Sequence, residues 1–396
     1  MNPTSPNRRE ALQAGSVAIS MVLAQMASPV FAFPGETDSE ELVPFLDMPR
    51  TGPDRLDWET LDEWLTPQDQ VFSVQHYGVP EFDPNDFRLE IVGAVEQPKV
   101  FTMDDLKALP QREQLMTLEC SGNGASKGFM NAVYNSNWKG TLLAPILEQC
   151  KLKPNAMEVV FFGMDRQQET LRKGTDRELT VEVPYGRSMS VADAMNLNLL
   201  LAYERNGDPL EKRNGAPLRL IVPGWYGVAN VKWLRRIEVR DRRYMGRFMG
   251  RDYVTVRGER QGGEVVFLET SVTRMNLKSI IARVTRSASD DSAEEIATRA
   301  YGAAWDDGTG IAKVEVKVDD GDWQLAQLHS EPRSKHSWVF FSIDLGKLKA
   351  DKHTLVSRAI DVNGRVQPSA DDDEIALKKT YWEAYQQWPR EIDLGA

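Results

Sequence analysis

Four runs in the last third of the chain restrict the fold more than any other feature. Residues 279–284, 312–318, 338–343 and 353–359 are rich in β-branched, aromatic and aliphatic side chains and are separated by polar turns. Asp319-Asp320-Gly321-Asp322 predicts a tight hairpin joining two of them. Few helical patterns intervene, so this part predicts an all-β sandwich. Its boundary with the preceding part falls near residues 265–272, giving a second domain over 269–396.

The pattern before that boundary is mixed. Residues 87–93 alternate with the period of a strand. Thr102 followed by Asp105 caps a helix over 103–109, which Pro110 ends. Residues 142–150 predict an amphipathic helix, 158–163 a buried strand, and 184 to about 195 a loop followed by a helix. Strands are predicted at 199–203 and 218–222. This order predicts an α+β domain over 66–268, with no dinucleotide or phosphate-loop fingerprint. Residues 33–65 read as an acidic, proline-spotted arm lying extended on a domain surface, with Phe45, Leu46, Trp58, Leu61 and Trp64 needing burial.

The formal charge of −11 argues against nucleic acid or an anionic membrane as the main partner. Two cysteines cannot form a disulfide framework. Residues 1–32 read as an export signal: Arg8-Arg9 precede an uncharged stretch, and Val30-Phe31-Ala32 offers small residues for cleavage. That stretch is too short and alanine-rich to span a membrane comfortably, so no span is expected once the signal is removed. Asn7-Arg8-Arg9-Glu10 resembles the twin-arginine signal that exports folded proteins, with ordinary secretion as the alternative. The expected location is periplasmic.

The stretch that carries chemistry is Thr117-Leu118-Glu119-Cys120-Ser121-Gly122-Asn123-Gly124. An apolar run ends in a glycine turn, so Cys120 is held by a buried strand yet lies beside open backbone. That suits a thiolate ligand to a soft metal. The alternative is a small buried hydrophobe.

Cys-x-Gly-Asn, then residues 215–224 (Gly-Ala-Pro-Leu-Arg-Leu-Ile-Val-Pro-Gly), then Val231-Lys232-Trp233-Leu234, together resemble the sulfite oxidase family of molybdenum enzymes. The resemblance runs from about Phe72 to about Pro368. It implies a mixed α/β molybdopterin-binding domain followed by an immunoglobulin-like domain that makes a homodimer. It implies molybdenum bound by a pyranopterin dithiolene and by Cys120. It places Arg219 and Lys232 at the cofactor phosphate, His76 beside the cofactor, Asp165 against the pterin, and Asn214 and Asn230 among the cofactor contacts. Tyr253 matches the tyrosine that approaches the metal's oxo ligand. His329, His336 and His353 receive no role.

The chain departs from the family where substrate anions bind. Val74 and Ala125 stand where the family has arginines, Ile311 follows the glycine turn where a third is found, and Asn214 replaces a histidine. Lys127, Lys139 and Arg172 are the candidates to compensate. Neither a histidine pair before Phe72 nor Cys-x-x-Cys-His is present, so no heme is expected in this chain and a separate cytochrome is expected to take the electrons. The implied activity is oxidation of sulfite or a related small sulfur compound by oxygen-atom transfer. Alternatives are sulfane-sulfur dehydrogenation, reduction of an oxo substrate, or a cofactor-free exported binding protein on the same scaffold.

Overall fold

The computed structural model describes residues 33, 36, 40–47, 54–61, 63–126, 130–287, 294–329 and 334–395. The export-signal reading of residues 1–32 lies outside them, as does Lys127. No helix among the described residues is long and apolar enough to cross a membrane.

The first unit is built on two sheets. One runs Arg219–Ile221, Leu200–Arg205, Val133–Leu142, Gln111–Glu119; the other runs Lys99–Phe101, Leu89–Gly93, Leu234–Arg240, Glu158–Leu171, Leu179–Ser190. Leu89–Gly93 and Leu234–Arg240 are parallel, while the other neighbours are antiparallel. Short helices fill the flanks. Met103–Ala108 starts at the expected capping box, in which the Thr102 side chain and Asp105 satisfy each other's backbone N–H groups. Leu143–Cys150 buries Leu143, Ile146, Leu147 and Cys150, the spacing of one helical face.

One expectation is corrected here. Residues 184–190 are not a loop. They end a long antiparallel ribbon in which Leu179–Ser190 pairs with Glu158–Leu171, and only then does Ser190 cap the helix Val191–Asn196. The ribbon's outer half, from Arg166 to Leu171, is mostly exposed, so no alternation marks it in the sequence. Val254–Gln261 and Glu264–Ser271 form a separate two-stranded hairpin between the units.

The second unit is a β-sandwich. One sheet runs Glu40–Leu42, Lys278–Ser287, Glu295–Trp305, Val339–Lys349, Gln327–His329; the other runs Gln324–Leu325, Ile311–Val318, Lys352–Asp361, Arg390–Asp393. Ile281, Ala300 and Phe341 from one face meet Val314, Leu355 and Ile392 from the other. The Asp319 turn leads only into the two-residue strand Gln324–Leu325. It does not join two of the four long runs, because the chain then crosses to the opposite sheet at Gln327–His329.

The arm is not confined to a surface. Glu40–Leu42 adds a strand to the sandwich, and Trp58 is buried, 6.0 Å from Trp305 and 5.7 Å from Trp338. Leu46 stays exposed, against expectation. Trp58, Trp305 and Trp338 belong to the same apolar cluster as Leu89, Phe161 and Leu220, so one continuous core runs through both units.

Candidate active site

A cavity of about 670 Å³, open at one side, is cut into the first unit. Cys120, Tyr253, His76, Asp165, Asn214, Arg219, Asn230 and Lys232 all line it. Strand ends and turns drawn from separated parts of the sequence supply them.

Cys120 follows directly on the strand Gln111–Glu119. Its N–H donates to the Ala132 carbonyl and its carbonyl accepts from Asn123, both at 2.9 Å. Burial pushes the thiol pKa up and the Glu119 carboxylate adds to this, while the Gly122 N–H opposes it. The side chain is nonetheless only partly covered. Ser121, beside it, has a buried hydroxyl oxygen without a partner.

The opposite wall is cationic. Arg219 is 5% exposed, donates to the carbonyls of Asn214 (2.9 Å) and Asn230 (3.3 Å), and lies 4.9 Å over the Trp138 ring. Its Nε has no partner, and burial lowers its pKa. Lys232 donates to Ser73 Oγ (3.2 Å) and the Arg213 carbonyl (3.0 Å), with its ammonium 4.5 Å from the Trp233 ring. Burial, reinforced by Arg219, pushes its pKa down to about 7. Neither cation forms an ion pair with a carboxylate among the described residues. Buried charge without a counterion is costly, so this wall is built for an anion.

Asp165 sits between. Burial pushes its carboxyl up to about 6, and Oδ1 is buried without a partner. A side chain at Gly163 would collide with that oxygen, which is why a glycine precedes it. His76 Nε2 lies 2.8 Å from the Tyr253 hydroxyl, and its ring stacks on Tyr185 at 5.8 Å. Burial lowers the His76 pKa, so the imidazole is neutral near pH 7. Tyr253 takes a left-handed backbone (φ 58°).

Asn230 does a different job from the one its position suggests. Its Oδ1 accepts from Val222 N–H at 2.8 Å and its amide donates to the carbonyls of Trp225 and Tyr226. The side chain holds the Pro223-Gly224 turn and leaves its backbone carbonyl to Arg219. Gly224 (φ 74°) permits that turn, because a Cβ there would strike the Asp307 backbone of the second unit. Asn214 is buried, with its amide 3.4 Å from Glu211.

Of the positions vacated by arginine, Val74 lines the cavity and is 42% exposed. Ala125 is exposed and lies outside the lining. Lys139 pairs with Glu204, and Arg172 sits on the exposed ribbon turn, so neither reaches the cavity wall. The sequence reading missed Tyr185, whose hydroxyl donates to the Val228 carbonyl at 2.6 Å. It also missed Trp382, stacked 4.3 Å from Tyr253. The aromatic run Tyr381-Trp382 was the available signal.

The donor set suits a large phosphorylated cofactor: one lining holds a thiol, two cations without a carboxylate partner, and unpartnered polar atoms on Ser121 and Asp165. Residues 76–248 match the oxidoreductase molybdopterin binding domain, and residues 269–382 match the Mo-co oxidoreductase dimerisation domain. Mitochondrial sulfite oxidase of Rattus norvegicus is 31% identical over 330 residues, covering 78% of this chain and 58% of that protein. Sulfite oxidase of Arabidopsis thaliana is 26% identical over 343 residues, covering 78% and 83%. The chain therefore spans little more than half the length of the mammalian relative. The crystal structure of the sulfane dehydrogenase SoxCD from Paracoccus pantotrophus shares the fold, with a TM-score of 0.70 and 24% identity over 91% of this chain and 92% of that one.

Proposed function

This chain belongs to the sulfite oxidase family of molybdopterin-binding oxidoreductases, and from that premise we propose that it transfers an oxygen atom to a small sulfur compound. Sulfite heads the candidates, with sulfane sulfur as the alternative. The observation that carries the reading is the pair of buried cations, Arg219 and Lys232, facing across one cavity toward Cys120.

Cys120 would hold molybdenum as a thiolate, a soft ligand for a soft centre. Arg219 and Lys232 would meet the cofactor phosphate, and Asp165 Oδ1 would accept from a pterin N–H. The bound cofactor supplies two-electron chemistry and the exchangeable oxygen. The chain's own part is binding and proton handling. His76 and the Tyr253 hydroxyl share a hydrogen bond, which orients the hydroxyl and lets the pair hold or release a proton beside the reacting sulfur. Tyr185 and Phe248 pack on the His76 ring and keep bulk water from that side.

The surrounding assignments are part of the same proposal. The chain is exported folded to the periplasm, dimerises through residues 269–396 and passes its electrons singly to a separate cytochrome. The dimer reading is supported by the match of residues 269–382 to a dimerisation domain. The test is elemental analysis and fluorescence of the released, oxidised pterin. Protein made with cofactor synthesis intact is expected to carry stoichiometric molybdenum. Protein carrying neither metal nor pterin would point instead to a cofactor-free binding protein.

A further inference from the structure

The charges around the cavity are unevenly compensated. Deep inside, Arg219 and Lys232 have no carboxylate partner. Near His76 and Tyr253, three guanidinium groups face carboxylates. Arg247 binds Glu169 at 2.6 Å and Asp252 at 2.7 Å, and Arg251 binds Glu169 at 3.0 Å. Arg257 lies 3.9 Å from Glu383. Arg55, which exerts a positive influence on Cys120, directs its guanidinium to the Asp54 carbonyl at 2.8 Å. An anion entering beside Arg247, Arg251 or Arg257 would have to compete with carboxylates already in place.

The C-terminal segment supplies aromatic surface at the same end. The Glu383 N–H donates to the Ser121 carbonyl at 2.7 Å, and Lys378, through the carbonyls of Trp382 and Glu383, pins the strap in place. Trp382 stacks on Tyr253, and Tyr381 packs on Trp382 with ring centroids 4.0 Å apart while remaining 55% exposed. Both rings lie against Gly122, two residues from Cys120. Val74, apolar and exposed, lines the cavity itself.

Resting on the oxidoreductase reading above, we infer that the mouth selects an uncharged sulfur group carried on an organic body over the free sulfite anion, with Trp382 as the specificity-determining residue. A flat aromatic rim favours a polarisable sulfur and the apolar group attached to it. It gives a hydrated anion nothing in exchange for its lost water.

The test is titration calorimetry on the full-length, cofactor-loaded protein with two probes, methyl phenyl sulfoxide and sulfite, at low and high salt. The sulfoxide is expected to bind at least about tenfold tighter than sulfite and with little salt dependence. Trp382→Ala is expected to weaken sulfoxide binding about tenfold, the scale of one lost aromatic contact, and to leave sulfite unchanged. Trp382→Phe should retain most of the affinity, which separates a lost contact from a collapsed strap. The inference is overturned if sulfite binds as tightly as the sulfoxide with a steep salt dependence that Arg55→Met abolishes. It is equally overturned if Trp382→Ala leaves sulfoxide affinity intact. Molybdenum content, measured on the same samples, reports separately on the underlying reading, and its absence would remove both.

Discussion

Lys232→Met is expected to move stability and cofactor retention in opposite directions. Burial takes the Lys232 pKa from its ordinary 10.5 to about 7. At about 1.4 kcal/mol per tenfold change in proton affinity, that corresponds to about 5 kcal/mol of preference for the neutral amine. Solvent reaches part of the side chain, so about 2–3 kcal/mol is the expected cost in the cofactor-free protein. Below about pH 7 the folded and unfolded chains both carry the proton, and the folded one bears the full cost. Between about 7 and 10.5 the folded chain releases a proton that the unfolded chain keeps, so the cost shrinks as pH rises. Methionine should therefore stabilise the cofactor-free protein by about 2–3 kcal/mol at pH 6, with the gain gone near pH 10.5. The groups left behind are not stranded, because Ser73 Oγ still donates to the Arg213 carbonyl and accepts from Gln75.

On the proposed assignment, the same substitution also removes a charge-assisted contact to the cofactor phosphate, worth about 1.5–3 kcal/mol, and should lower cofactor affinity about tenfold to a hundredfold. The assays are urea unfolding of cofactor-free protein at several pH values and pterin fluorescence of protein purified with its cofactor. Loss of stability at pH 6, or a gain that persists unchanged at pH 10.5, would refute the electrostatic argument. Full pterin content in the variant would refute the phosphate assignment.

Cys120→Ser should abolish turnover while circular dichroism and the unfolding midpoint stay near wild type, since an alkoxide is a poorer ligand than a thiolate for a soft metal; full activity would remove the ligand assignment. Val74→Arg should lower the KM for sulfite about tenfold to a hundredfold by adding one charged contact in the cavity wall, whereas Ala125→Arg, outside the lining, should change it little. Steady-state kinetics on both variants decides this, and equal effects would show that the 125 position reaches the substrate. Lys278→Met should destabilise the chain by about 3–5 kcal/mol, because it leaves the fully buried Glu119 carboxylate without its cation. Unfolding measurements check that figure, and Glu119→Gln in the same chain should recover part of the loss.

How much of this could be read from the sequence depended on whether the signal was local. The Thr102–Asp105 cap and the apolar face of Leu143–Cys150 depend on neighbours three or four residues away, and both are where the sequence places them. The cavity residues came from an ordered set of motifs, and each of them lines one cavity. The outer ribbon and the strand Glu264–Ser271 were invisible because both of their faces meet solvent, which erases the alternation that marks a strand. Asn230 was assigned from position alone, and the structure shows its polar atoms committed to the backbone of its own turn. Trp382 meets Tyr253 from far along the chain, and Glu119 meets Lys278 across 159 residues. Nothing in either neighbourhood announces its partner.

Those distant contacts decide what the second unit contributes to the site. Glu119 immediately precedes Cys120 and is fully buried, where a carboxylate survives only with donors around it. Asn123 in the same turn supplies one donor at 2.9 Å. The others come from the second unit: the Lys278 ammonium and, at 2.9 Å, the Trp305 indole N–H. Lys278 also holds the Asn123 carbonyl at 3.0 Å, while the Gln386 side chain reaches the Gly124 carbonyl at 3.3 Å. The turn that carries the thiol is thus closed on one side by its own strand and on the other by the sandwich and the C-terminal segment. Without residues 269–395, Glu119 would face solvent, Ser121 and Gly124 would lose their backbone partners, and Cys120 would sit on a free glycine-rich turn. A domain matched as a dimerisation module therefore also fixes the position of the candidate metal ligand, through a charge pair too deeply buried to be ornamental.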